Sequence, residues 1–209
     1  MPGSMRTAND VLDFWFGQGP MDPARLTERN TFWFGGDGPE AAAARDASIR
    51  ATLEPMLERA SRGEFAGWAG SPKRRLALIL LFDQVPRNSY RNSPAAFAFD
   101  REALALSVEG LQLAADAALA PWERLFFYLP LEHAESIDAQ DAAVAAFTRN
   151  AAEAPPEYRA WCEGLIFYAN KHRDLIRLFG RFPHRNQVLG RADTPEEAAW
   201  LKEHPNYFG

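Results

Sequence analysis

The sequence has little of several residue types, and each shortage excludes a class of protein. Its 209 residues include one cysteine, Cys162, so neither an internal disulfide nor a cysteine-rich zinc site can form. Valine and isoleucine together number 10, against 57 alanines and leucines, which argues against a large sheet and favours helices. The apolar run at 76–82 is far too short to cross a membrane, so no membrane partner is expected. The composition therefore predicts a soluble all-α protein.

Charge and the N-terminus set further limits on partners and location. The net charge is −5, so a general nucleic-acid-binding role is not expected. Residues 1–9 contain no apolar stretch of a secretory signal, and the chain is expected in the cytoplasm. Arginine supplies 20 of the 23 basic residues, so an anion site would use guanidinium forks. The stretch Gly3-Ser4-Met5 resembles a cloning remnant and is left out of the fold prediction.

Start and stop signals divide the chain into eight or nine helices, which we expect to form one domain over residues 1–209. Asp22-Pro23 and Thr194-Pro195 are typical helix starts, and Gly180 is a typical helix stop. The predicted helices span about 7–17, 22–35, 39–62, 71–86, 100–112, 122–128, 137–147, 157–179 and 194–201.

Three prolines within or next to these segments are expected to disturb helices. Pro55 should kink or split its helix, and Pro130 should interrupt the one that carries it. Pro86 should end the helix before it, which is apolar nearly all round and is predicted to be the central buried helix. The tetrad Phe-Trp-Phe-Gly at 14–17 recurs at 32–35, and its aromatic side chains are expected to anchor the core.

Two helix ends carry similar polar sequences. Residues 83–88, the first corner, read Asp-Gln-Val-Pro-Arg-Asn, and residues 180–186, the second corner, read Gly-Arg-Phe-Pro-His-Arg-Asn. In both, the proline should force an extended exit and leave Arg and Asn in the bend. Such an arginine can cap the last carbonyls of its own helix, whereas two corners facing each other would form an Arg-lined pocket. The candidate ligand-binding residues are Asp83, Gln84, Arg87, Asn88, Arg181, His184, Arg185 and Asn186, together with Glu135 from the segment described next.

The densest chemical signal is Glu132-His133-Ala134-Glu135, just after Pro130. The two glutamates are three residues apart, so a helical turn would place both on one side. Two acids and a histidine can act as general acid and base or contribute to a metal site. Because the spacing fits no helical zinc pattern, no metal is predicted. The alternative is that the acids merely suit the N-terminus of the helix that begins at Ile137.

His172 falls inside the apolar stripe of the longest predicted helix. That stripe comprises Trp161, Leu165, Tyr168, His172, Leu175 and Phe179. A buried imidazole needs hydrogen-bond partners, and a backbone carbonyl would be sufficient. Alternatively, Glu132 or Glu135 orients it and forms a His–carboxylate pair with a tunable proton. Glu132, His133 and His172 are therefore the candidate catalytic residues.

Other familiar motifs are absent or out of context. Residues 36–41 fit a loose GxGxxA pattern, but they follow an aromatic helix end rather than a strand and contain Pro39. The chain has no P-loop lysine motif and no nucleophile elbow, and Cys162 is expected to pack rather than react. No cofactor is predicted.

Five sequence blocks resemble the bacterial family known as domain of unknown function 924. They lie at 14–16, 81–88, 99–100, 126–133 and 180–186, and the resemblance extends over about residues 10–201. Val85 departs from the phenylalanine usual at that step, which should loosen packing without removing polar groups. The resemblance implies an all-helical fold similar to tetratricopeptide-like arrays. It brings no established activity, cofactor, substrate or catalytic residue.

Three functional hypotheses follow. The first is a pocket that binds a small anionic or polar molecule, either as a binding site alone or as an enzyme that transfers protons. The alternative is an interaction scaffold of tetratricopeptide type, in which the corners are structural caps far from each other. A third is a homodimer in which exposed aromatic side chains such as Trp68 and Trp122 cover each other. The pocket hypothesis requires both corners and Glu132-His133 to lie within one cavity.

Overall fold

A computed structural model describes residues 7–205 and Tyr207, so the Gly3-Ser4-Met5 stretch lies outside the described part. In that part, nine α-helices of eight or more residues and one of five are joined by short turns, without any strand. The prediction of an all-α fold is confirmed. The helices are α1 (Ala8–Phe16), α2 (Pro23–Phe34), α3 (Pro39–Ser61), α4 (Pro72–Ile79), α5 (Val85–Ser89), α6 (Asp100–Gln112), α7 (Pro121–Glu132), α8 (Ile137–Glu153), α9 (Pro156–Phe179) and α10 (Pro195–Glu203).

The helix starts follow from local side-chain chemistry. The Thr7 hydroxyl accepts from the backbone of Asp10 in a capping box, and Thr194 does the same for α10. The Asp22 carboxylate accepts the backbone N–H of Arg25 at the start of α2. These side chains satisfy N–H groups that have no partner within the helix, so the predicted starts are confirmed.

The prolines disturb the helices less than the sequence predicted. Pro55 lies inside the single helix α3, and Pro130 lies in the last turn of α7, so neither divides its helix. At Pro86 the predicted helix end is also wrong. A π-helical turn, Leu80–Gln84, precedes α5, and the Val85 N–H donates to the Leu80 carbonyl. The wider π turn accommodates Pro86, which has no backbone N–H to donate. The first corner is therefore helical rather than extended.

The aromatic tetrads anchor the core as predicted. Trp15 is fully buried and Trp33 is 5% exposed, and both rings meet Phe126 edge-on at centroid distances of 5.5 Å and 4.9 Å. The central segment 76–82 is buried throughout. Phe34 departs from the prediction, since it is 52% exposed.

The tryptophans proposed for a dimer surface are engaged within the chain. Trp68 stacks on Phe65 with ring centroids 4.2 Å apart, and Trp122 meets Tyr158 at 5.1 Å. Both tryptophans are partly buried, so the expectation that they are exposed is wrong, and the homodimer stays a prediction. Among the described helices, none is long and apolar enough to cross a membrane.

Four elements converge on the polar sequences. The π turn packs against α6 and α7, and α7 packs against α9. The second corner follows α9 directly, because Gly180 takes a left-handed conformation (φ 71°) that ends the helix and turns the chain. The first corner, the end of α7 and the second corner therefore meet.

Candidate functional site

The two corners lie side by side around one carboxylate, Asp100, at the start of α6. Arg87 Nη1 is 2.7 Å from Asp100 Oδ1, and Arg185 Nη1 is 3.6 Å from Asp100 Oδ2. Arg185 Nη1 also donates to the His133 carbonyl at 3.0 Å. The two corners and His133 are therefore adjacent, which is one part of the pocket hypothesis, and a cavity between them stays a prediction. The seven side chains that meet here form what we call the polar cluster: Asp83, Arg87, Asp100, Glu132, His133, His172 and Arg185.

His133 is held by a buried carboxylate. Its Nδ1 is 2.8 Å from Asp83 Oδ1, and Asp83 is 1% exposed. Gln84 Nε2 donates to the other carboxylate oxygen at 2.6 Å and fixes its orientation. Because Asp83 accepts, the proton of a neutral His133 lies on Nδ1. Nδ1 is also the only ring nitrogen of His133 that hydrogen-bonds to a described residue, so Nε2 keeps a lone pair available to another molecule.

The surroundings set the protonation of this pair. Burial alone would raise the pKa of Asp83, but the adjacent Arg87 guanidinium, 3.0 Å away, holds that pKa well below its usual range. Burial and the positive charge of Arg87 lower the pKa of His133 below 6.5, and the attraction of Asp83 opposes them. At neutral pH the pair is therefore an ionised carboxylate and a neutral imidazole.

His172 forms a second histidine–carboxylate pair beside the first. Its Nδ1 is 2.8 Å from Glu132 Oε1 and 2.9 Å from the Tyr168 carbonyl oxygen. Both partners considered from the sequence, a carboxylate and a backbone carbonyl, are thus present. The rings of His133 and His172 are 6.2 Å apart, centroid to centroid. Two separately oriented imidazoles therefore share the cluster.

The predicted apolar stripe of α9 is shifted from the buried face. Tyr168 is 49% exposed, whereas Cys162, Ala169 and Ile176 are buried. These three residues are seven apart and mark a face that the sequence stripe did not include. His172 lies at its edge with 15% of its side chain exposed, so the ring borders the core rather than filling it.

Two predicted ligand residues fasten α10 to the second corner. The Arg181 guanidinium donates to both oxygens of Glu197 at 2.6 Å. Asn186 Nδ2 donates to Asp193 Oδ1 at 2.7 Å and to Glu197 Oε2 at 3.2 Å. Arg181 lowers the pKa of Glu197 to about 2, so this carboxylate is ionised throughout the neutral range. Both side chains thus stabilise the corner.

Glu135 also serves the corner, and it separates from Glu132. Its Oε1 accepts the Phe182 N–H at 2.8 Å, and its Oε2 is 2.7 Å from Arg191 Nη1. α7 ends at Glu132, so the two glutamates do not share a helical turn, and they have different partners. The expectation that they lie together on one side is wrong.

The remaining predicted residues lie at the margins. Asn88 Nδ2 donates to the Gln84 carbonyl at 2.8 Å and Asn88 Oδ1 accepts from Arg91, so this side chain bonds to the helix turn before it. His184 is exposed, and its ring lies 5.5 Å from that of Phe182. The hydrogen bonds of Asn88 thus go to Gln84 and Arg91 rather than to the polar cluster.

Four residues of the site were not among the sequence candidates. Asp100 joins the corners, and the rings of Phe97 and Phe182 lie under the Arg185 guanidinium at 4.8 Å and 4.4 Å. Buried Gln140 donates to the Glu132 carbonyl at 2.6 Å and holds the end of α7. Phe182 lies within the second corner, and Asp100 belongs to the Phe99-Asp100 block, but a helix-starting Asp is otherwise indistinguishable from a cap.

Within the described part of the chain, this site coincides neither with a metal cluster nor with the cleft beside Trp122. Among the described residues, no group of three or more His, Cys, Asp or Glu side chains is placed to hold a metal ion. A cleft of about 620 Å³ lies elsewhere, and it shares no lining residue with the polar cluster. We take the cluster as the candidate site because its chemistry, rather than its size, distinguishes it. The lining residues of the cleft include Asn9, Leu12, Asp13, Phe16, Lys73, Trp122, Glu123 and Tyr158.

Comparison with known proteins agrees with the sequence blocks. The structure is similar to that of a protein of unknown function, ATU0120 from Agrobacterium tumefaciens, with a TM-score of 0.74 and 35% sequence identity. The match covers 94% of this chain and 97% of that chain. No curated protein matches the sequence. The model of the family described as bacterial protein of unknown function (DUF924) matches residues 11–205. The chain therefore belongs to this bacterial family, as its five sequence blocks predicted.

Proposed function

We propose that the polar cluster binds a small polar or anionic molecule and that His133 exchanges a proton with it. One observation carries the proposal: Nδ1 of His133 is 2.8 Å from a buried, ionised Asp83, which leaves Nε2 as a proton acceptor. A neutral, oriented imidazole is suited to general-base catalysis near neutral pH. His172 and Glu132 supply a second proton-exchanging pair. Such a pair of sites supports hydrolysis or isomerisation of a polar metabolite.

The alternative scaffold is supported by a different surface. Phe167 and Leu178 of α9 are each 63% exposed, and their spacing of eleven residues places them on one helix face. Apolar side chains exposed in this way fit a partner helix. In a scaffold, however, the corners would act only as separate caps, and the shared Asp100 favours the pocket.

The test is a thermal-shift screen of polar metabolites, because a molecule that binds only the folded state raises the melting temperature. We expect at least one compound to stabilise the wild-type protein and to lose that effect in His133→Asn. Asparagine keeps an N–H donor for Asp83 and removes the Nε2 acceptor, so the variant tests the proton acceptor itself. The matched control is His204→Asn, an exposed histidine at the C-terminal end of α10, which should respond like wild type.

Two results contradict the proposal. One is a stabilising compound whose effect is the same in wild type and in His133→Asn. The other is the absence of any stabilising compound while the variants fold normally, which would favour the scaffold instead.

A further inference from the structure

Arg185 is a buried guanidinium, and the described residues of the protein use little of its hydrogen-bonding capacity. The residue is 7% exposed, and its Nη1 donates to the His133 carbonyl at 3.0 Å. Nη1 is also the nitrogen nearest to a carboxylate, Asp100, at 3.6 Å. Its other two nitrogens, Nε and Nη2, donate to none of the residues that the structure describes. One edge of a rigid two-donor fork therefore remains open.

The plane of this fork is fixed in advance. The Arg185 guanidinium lies over the rings of Phe97 and Phe182, at 4.8 Å and 4.4 Å from their centroids. Aromatic packing and the bond to the His133 carbonyl leave the side chain little freedom to lose on binding. A preorganised guanidinium edge fits the two oxygens of a planar oxyanion.

The neighbouring carboxylates are already committed to Arg87. Arg87 binds Asp83 at 3.0 Å and both oxygens of Asp100, at 2.7 Å and 3.0 Å. Arg185 thus shares the carboxylate of Asp100 with Arg87 and has no carboxylate partner of its own among the described residues. Burial and the nearby charge of Arg87 lower the pKa of Arg185 to about 10, because both disfavour its positive charge. An anion on the open edge would balance it.

The net charge of the polar cluster favours an anion of low charge over one of higher charge. Counted with neutral imidazoles, the cluster holds the guanidiniums of Arg87 and Arg185 and three carboxylates, so its net charge is already negative. A carboxylate ligand adds one negative charge, whereas a phosphate adds roughly 1.5 to 2 at neutral pH. Repulsion from the three carboxylates therefore penalises phosphate more strongly.

We propose that the open edge of Arg185 receives the carboxylate of a small monoanionic ligand, and that His133 takes up a proton as this ligand binds. This inference rests on the proposed function, since it places the ligand beside His133. The proton uptake follows from charge: an added anion favours the imidazolium form of His133, which also faces Asp83, Arg87, His172 and Arg185. Carboxylate binding should accordingly strengthen as the pH falls.

The experiment follows the Arg185 Nε–H and the His133 ring nitrogens by ¹⁵N NMR during titrations with acetate and with inorganic phosphate at constant ionic strength. We expect acetate to shift both residues and to bind at least about tenfold more tightly than phosphate. We also expect its affinity to rise between about pH 7.5 and about pH 6. Arg185→Lys, which keeps the charge but loses the fork, should weaken acetate binding about tenfold. Arg91→Lys at an exposed ion pair is the matched control and should have no effect.

The wild-type resonances decide the question even if Arg185→Lys does not fold. Phosphate binding as tight as acetate binding, or affinity that does not change with pH, overturns this inference. A metabolite that shifts His133 but leaves Arg185 Nε–H unchanged overturns it while leaving the proposed function intact. If neither anion nor any metabolite shifts either residue, both proposals are wrong.

Discussion

At the residue scale, Asp83 is the group on which the site depends. Its carboxylate accepts from His133 and Gln84 and pairs with Arg87, and it is 1% exposed. A buried charge with this many donors is stable only while the donors remain. Replacing it therefore affects both stability and the orientation of His133.

We predict that Asp83→Asn lowers the free energy of unfolding by about 3 kcal/mol, because it leaves Arg87 short of a buried counter-charge. Urea unfolding measures the change. Arg177→Gln removes a half-exposed ion pair to Asp141 and should cost less than about 1 kcal/mol. Equal effects of the two substitutions would show that the Asp83 pair contributes no more than a surface pair.

A second residue-scale prediction concerns acid. The pKa of His133 is lower in the folded chain than its ordinary value of ~6.5, so the unfolded chain binds the proton more readily. Stability should therefore be lost as the pH falls from about 7 to about 5, whereas the contribution of Asp83, whose pKa is also lowered, is lost only in stronger acid. Melting temperatures against pH should fall less steeply for His133→Asn than for wild type or His204→Asn. Parallel curves for all three proteins would be incompatible with a lowered His133 pKa.

At the element scale, local chemistry explains what the sequence could predict. Thr7, Asp22, Thr194 and Gly180 act within a few residues of themselves, so their helix ends were predictable. The conformation at Pro86 was not predictable, because the local preference of this proline competes with packing. The π turn before it is buried throughout, and this burial outweighs the preference for an extended exit. Pro130 is likewise buried and stays inside α7.

The attachment of α10 gives a prediction at this scale. Glu197 caps α10 through the Thr194 N–H at 2.8 Å and binds Arg181 and Asn186 of the second corner. Thr194→Ala removes only the hydroxyl cap and should cost about 1 kcal/mol. Glu197→Gln removes the charge that holds the corner, and we expect faster amide hydrogen exchange in both α10 and the second corner. Faster exchange confined to α10 would show that the corner is stable without it.

At the scale of the whole molecule, the corners are about a hundred residues apart in sequence and touch the same carboxylate. The similar polar sequences of the two corners predicted that they could face each other. It could not indicate Asp100, whose role depends on where α6 packs, or the aromatic support of Arg185 by Phe97 and Phe182. Contacts between distant elements carry no local sequence signal.

This closeness predicts an energetic coupling between the corners. In a double-mutant cycle of Arg87→Gln and Arg185→Gln, the interaction energy should lie between about 0.5 and 3 kcal/mol, because both arginines bind Asp100. Arg124, which pairs with Glu153 elsewhere, provides the control cycle with Arg87 and should be additive. Additivity in both cycles would mean that the corners act as separate caps.

The most direct test of the site is a ¹⁵N spectrum of the His133 ring recorded while small polar carboxylates are added to the wild-type protein. We predict a neutral imidazole with its proton on Nδ1 in the free protein and a change at Nε2 when a ligand enters. A ring already charged at neutral pH, or a signal that stays the same with every compound while ligands bind elsewhere, would contradict it.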